Sequence, residues 1–222
     1  MSTIEAGILA VHVALGFLAL FAGLGAFLTE KGGRRHRTAG RVYVASMAVV
    51  SGTALALFPF DPAFDRGFLA LVAGFSFYFA FSGYRVLSRK RPADDPAAVD
   101  WVAVGLLGIA SAGLVGMGGF LWLEGGAFAP VLLVFGAIGS LFAGSDAWQF
   151  RRASDPGGWV GEHVIRMGAG YIATVTAFSS VNFLFLPTVA RWLWPTLLGT
   201  PLLVYLARTY EASLGAGAAN DS

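Results

Sequence analysis

Seven long apolar runs, separated by short polar breaks, constrain this chain more than any other feature. They cover residues 6–28, 40–58, 67–87, 101–123, 128–148, 163–185 and 192–207. The hydrocarbon core of a bilayer takes roughly 20 apolar residues per helix. Inside it, every backbone N–H and C=O must be paired within the protein, which favours helices for runs of this length. The pattern therefore predicts an all-α integral membrane bundle of about seven transmembrane helices, built as one polytopic domain over residues 1–222. The last run is the shortest and holds Pro195 and Pro201, which should kink it. Only 13% of residues are charged, against about 25% in a soluble domain, too few to cover a water-facing surface. No basic stretch precedes the first run, so it reads as a retained span rather than a cleaved signal.

The cationic residues give a direction. Lys31, Arg34, Arg35, Arg37 and Arg41 follow the first run. Arg85, Arg89, Lys90 and Arg91 follow the third, Arg151 and Arg152 the fifth, and Arg208 the seventh. The intervening breaks hold only Arg66 and Arg191. Short cytoplasmic loops retain positive charge, so odd-numbered spans should end inside, with the N-terminus outside and the C-terminus in the cytoplasm. Trp101, Trp122, Trp148, Trp159, Trp192 and Trp194 all fall near predicted span ends, the depth an amphipathic ring prefers.

Small residues recur four apart at Gly108, Ala112 and Gly116, at Gly136, Ser140 and Gly144, and at Ala169, Ala173 and Ala177. Such rows let helix backbones approach closely. They predict packing within the bundle, with a homo-oligomer or a larger complex as the alternative use of the same faces.

Ionisable and polar residues inside spans are candidates for function because each is costly in hydrocarbon. His12 should lie on the order of 9 Å below the outer edge of the core. The sixth span runs the other way, so its late polar residues share that depth. Tyr171, Thr174, Phe178 and Asn182 form one stripe, with Ser179 beside it. These residues predict a polar ligand site between spans one and six. The plainer reading is a neutral core histidine satisfied by one hydroxyl. A second group, His36, Asp146, Glu162, His163 and Arg166, should gather near the inner ends. It reads either as a structural ion-pair network or as a metal set, since histidine with carboxylates suits zinc or iron. His12 and His163 should differ by roughly 15 Å or more in depth, too far for one haem iron. His36 with His163 is open to b-type haem or a divalent metal.

Several classes are excluded. There is no cysteine, hence no iron–sulfur cluster or thiol chemistry. Both lysines, Lys31 and Lys90, lie between runs, so no retinal Schiff base is available. No arginine row marks a voltage sensor, and nothing points to nucleic acid.

Three stretches are familiar together: His36-Arg37-x-x-Gly40-Arg41-x-Tyr43, Ser82-Gly83-Tyr84-Arg85, and His163-x-x-Arg166-Met167 followed by Tyr171, Asn182, Trp194 and Pro195. With His12 they resemble the domain-of-unknown-function family 2306, a family of bacterial predicted multi-pass membrane proteins. The resemblance extends over most of the chain and implies a bacterial cytoplasmic (inner) membrane location in contact with lipid. It implies no activity. Three functional expectations follow: a small-ligand binding or transport protein centred on spans one and six; a metal or haem redox protein using His36 and His163; and a non-catalytic subunit of a larger membrane complex.

Overall fold

A computed structural model describes residues 1–91, 94–152 and 158–220. Among these residues there are seven α-helices and no strand. They are α1 (Thr3–Leu28), α2 (Arg34–Leu57), α3 (Phe64–Arg85), α4 (Ala98–Leu123), α5 (Ala129–Gln149), α6 (Trp159–Asn182) and α7 (Thr188–Asn220). Single 3₁₀ turns, Phe58–Phe60 and Val86–Ser88, prolong α2 and α3.

Local chemistry sets the ends. At the start of α1, Ser2 Oγ accepts from the Glu5 amide at 3.1 Å while the Ser2 amide donates to the Glu5 carboxylate, a reciprocal cap that satisfies two otherwise orphaned donors. At its far end the Lys31 ammonium donates to Phe27 O and Ala26 O, placing a cation on the negative end of the helix dipole. Burial draws the Lys31 amine below the ordinary lysine range.

α1 to α6 are each long and apolar enough to cross a membrane by length and composition. The seventh expected span forms a helix, Thr188–Asn220, but is not apolar enough by the same measure. Arg191, Trp192, Trp194, Pro195, Thr196, Thr200 and Pro201 dilute its leucines. Both prolines lie inside one continuous helix. α2 begins at Arg34 rather than at residue 40, so the basic stretch expected to be a loop forms its first two turns. Arginine is a good helix former, and hydropathy alone cannot reveal a helix that extends past the apolar core.

α1/α2, α4/α5 and α6/α7 pack as neighbouring hairpins, and α3 lies among them against α2, α4 and α6. Half of its most apolar window is buried, against 11% for α1. The core is aromatic. Phe68, Leu114, Val131, Leu132, Phe135 and Trp192 form one cluster; Phe75, Tyr78, Phe79, Val104, Leu107 and Ala143 form a second; Ala19, Tyr43, Met47 and Ala80 form a third. Trp192 corrects one expectation. It is 8% exposed and meets the rings of Phe68, Phe128 and Phe135 edge-on, a core residue rather than a ring at the lipid interface. Trp122 and Trp148 are exposed, as interfacial rings would be.

The small-residue rows divide. Gly136 packs on Val115 and the Ser111 backbone, so a Cβ there would clash. Ala169 packs against the second core cluster, whereas Ala173 and Ala177 border a cavity. Gly108, Gly116 and Gly144 face open space, and Ala112 and Ser140 are exposed. An equally close approach joins α3 and α6. A Cβ on Gly83 would sit 2.9 Å from the Met167 amide, and one on Gly170 would sit 3.2 Å from the Ala80 amide and 3.0 Å from Tyr43 Oη.

Gly83→Val should therefore destabilise the bundle by about 1–3 kcal/mol through overpacking, while Gly105→Ala, on open space, should change little. Thermal unfolding midpoints in one detergent measure the difference.

Candidate functional site

Helix ends gather into two opposite sets. At one end Glu5 of α1 meets Arg66 of α3, whose guanidinium also donates to Leu57 O at the close of α2. The late residues of α6 share that end. At the other end Arg85 of α3 meets Asp100 of α4, and His163 of α6 meets Gly83 of α3.

At the first end, α1, α2, α3 and α6 border a partly open cavity of about 480 Å³. Its walls are mainly Leu9, Val13, Phe17, Leu20, Met47, Val50, Leu69, Val72 and Phe178. Glu5 and Arg66, joined at 2.8 Å, lie at one extreme of the lining. The volume falls in the range of small-molecule sites, which are mostly apolar with a few placed polar groups.

His12 lines this cavity. Its Nδ1 lies 3.1 Å from Val50 O and 3.0 Å from Thr53 Oγ1. A carbonyl can only accept, so Nδ1 carries a proton, which in the neutral ring leaves the lone pair on Nε2. Thr53 in turn donates to the carbonyls of Val49 and Val50. His12 is thus anchored to α2, not to α6, and its Nε2 has no hydrogen-bond partner among the described residues. The Ser76 hydroxyl, also on the lining, has none either.

Thr174 and Asn182 line the cavity as well; Tyr171 and Ser179 do not. Thr174 donates to Gly170 O at 3.0 Å and lies 3.2 Å from Tyr43 Oη. Asn182 Nδ2 donates to Phe178 O at 2.8 Å. Helical side chains lean toward the helix N-terminus, which carries the Tyr171 ring toward the other end, onto Phe27 and Tyr43. Ser179 lies about 140° around the helix from Thr174, facing α7, where it accepts from Trp194 Nε1 at 2.7 Å.

At the opposite end the chain's most buried charges meet. Arg166, 3% exposed, forks onto the fully buried Asp146 of α5 at 2.7 and 2.5 Å. Its Nε reaches Glu162 at 3.0 Å, and Tyr78 of α3 donates to the same Asp146 carboxylate. A planar guanidinium suits this bidentate geometry. No group of three or more metal-ligating side chains occurs among the described residues.

His36 and His163 sit beside it. His36 Nδ1 lies 3.0 Å from Ala26 O, and His163 Nδ1 lies 2.8 Å from Gly83 O. Each ring thus ties a carbonyl near the end of a neighbouring helix, and the two centroids are 6.5 Å apart at 72°.

Sequence reasoning missed two further networks. Asp100, 3% exposed, holds Arg85 at 2.9 and 2.8 Å and Arg89 at 3.1 Å while capping α4 through the Ala97 amide. Desolvation draws the Arg89 guanidinium below its ordinary range, and Asp100 opposes that shift. The Asp at the third position of an N-terminal turn was the available signal. In addition, Arg89 lies over Phe150, Lys90 over Trp159, Arg151 over Trp101 and Arg152 over Trp148, with cations 3.8–5.6 Å from the ring centres.

Residues 9–115 match the family model described as "Predicted membrane protein (DUF2306)". The match takes in His12, His36, Tyr43, Arg85 and Asp100; the resemblance drawn from His163, Arg166 and Trp194 lies beyond it. No curated protein and no solved structure matches the chain. The chain is a predicted multi-pass membrane protein, all-helical among the described residues.

Removing one partner of the buried pair should cost about 3–5 kcal/mol, because the other charge is stranded, whereas an apolar double replacement should cost much less. Asp146→Leu and Arg166→Met alone and together, compared by denaturant unfolding in detergent, measure that coupling.

Proposed function

We propose that this membrane protein binds a small, largely apolar molecule with a hydrogen-bonding head group in the cavity between α1, α2, α3 and α6. One observation carries the reading: in a largely apolar cavity of about 480 Å³, the His12 Nε2 and the Ser76 hydroxyl have no hydrogen-bond partner among the described residues. An unpaired acceptor on an apolar wall costs free energy unless a ligand or solvent satisfies it. A molecule that donates to Nε2 and fills the space recovers that cost and buries its own apolar surface.

The charges supply the orientation. The helix ends carrying Lys31, Arg34, Arg35, Arg37, Arg85, Arg89, Lys90, Arg151 and Arg152 belong on the cytoplasmic side of a bacterial inner membrane by the positive-inside rule. The cavity then lies toward the outer side, with the N-terminus outside, seven crossings and the C-terminus in the cytoplasm. α7 completes the odd count although it is the least apolar helix.

Two experiments test this. Small molecules that co-purify with the protein can be identified by native mass spectrometry. Gly16→Leu, which projects into open space on the cavity wall, should lower their occupancy at least about tenfold, or 1.4 kcal/mol, without lowering the melting point. His12→Leu should do the same. Unchanged occupancy in both variants refutes the site. For orientation, a fluorescent protein fused after residue 222 should glow and an alkaline phosphatase fused there should be inactive; the reverse pattern overturns it.

A further inference from the structure

We infer that His36 and His163 form a paired-imidazole site for a transition-metal centre, separate from the cavity. The two rings come from the first turns of α2 and α6. Each has its Nδ1 on a backbone carbonyl, Ala26 O at 3.0 Å and Gly83 O at 2.8 Å. Because a carbonyl cannot donate, both Nδ1 atoms carry a proton, which in the neutral ring leaves the lone pair on Nε2. Neither Nε2 has a hydrogen-bond partner among the described residues. An Nδ1–H bound to a carbonyl, with Nε2 left free, is how metal-ligating histidines are oriented and made more basic.

The spacing fits the same chemistry. Two imidazoles bound at about 2.0–2.1 Å to one metal place their ring centroids between roughly 5 Å, for a tetrahedral angle, and 6.5 Å, for a linear one. The observed separation is 6.5 Å, the near-linear limit. Among the described residues no third histidine, aspartate or glutamate joins the pair, and the neighbouring Glu162 places its Oε1 on Arg166. Two centres accept two imidazoles in trans with no other protein ligand: copper(I), and iron already held in the plane of a haem. The surrounding charge favours the second. Lys90 acts on His163 electrostatically and Arg34, Arg35 and Arg37 flank His36. These cations oppose a bare metal ion but suit the propionates of a haem.

The plainer role, capping two helix ends, uses only the Nδ1 atoms, and this separates the two roles by experiment. Asparagine places an N–H donor near the position of Nδ1 and removes Nε2. The full-length protein is purified from membranes in mild detergent, and its absorbance spectrum and metal content are recorded before and after adding hemin alone or copper(I) alone. The wild type and His12→Ala should bind about one centre per chain. His36→Asn and His163→Asn should lose affinity at least about tenfold while keeping the wild-type melting point. A Soret band lost in both Asn variants identifies haem; one copper per chain without a Soret band identifies copper(I). If the wild type binds neither, or if the folded Asn variants bind as well as the wild type, the proposal is overturned.

Discussion

The charge on Arg166 dictates how α3, α5 and α6 meet. A guanidinium 3% exposed inside a membrane bundle cannot stand alone, because the cost of removing it from water exceeds any packing gain. Asp146 from α5 forks onto it, Glu162 from one turn earlier on α6 covers its Nε, and Tyr78 from α3 donates to the shared carboxylate. These groups converge only if α3 and α6 come close, and Gly83 and Gly170 keep that approach free of side chains. The electrostatic demand and the steric permission therefore act at one helix crossing.

That crossing makes the two ends of the bundle unlike. At the basic end carbonyls and charges are tied: His36, His163 and Lys31 on helix-end carbonyls, Asp100 with Arg85 and Arg89, and Lys90, Arg151 and Arg152 over aromatic rings. At the far end no residue of α1 before Ala19 is buried, and the helix is linked by His12 to α2 and by Glu5 to Arg66. The space between α1 and α6 is left as a cavity rather than filled by packed side chains.

Much of this architecture was legible in the residues. Runs of about 20 apolar residues marked the helices because lipid permits few other structures. The last run misled in apolarity, since tryptophan, threonine and proline interrupt it. The start of α2 was hidden because hydropathy does not register helix that continues into water. Asp146, Glu162 and Arg166 could be placed at one depth from topology, but not which carboxylate would fork onto the guanidinium. The pairing of Arg85 and Arg89 with Asp100 was invisible: charges between apolar runs look solvated until the helix ends are fixed. For the cavity, a depth argument gathered His12, Thr174 and Asn182, which all lie on its wall. It also gathered Tyr171 and Ser179, which helix geometry sends elsewhere, one by its lean toward the α6 N-terminus and the other by its angle around the helix. Glu5, Arg66 and Ser76 escaped notice because nothing in the sequence joins them to His12.

The central claim is that the space beside His12 holds a ligand. A structure determined in lipid nanodiscs, from protein extracted under mild conditions from its own membrane, tests it most directly. The account predicts continuous non-protein density between α1 and α6, with a polar atom at hydrogen-bond distance from His12 Nε2. A cavity collapsed by inward movement of α1, or Nε2 satisfied by another side chain of the protein, would contradict it.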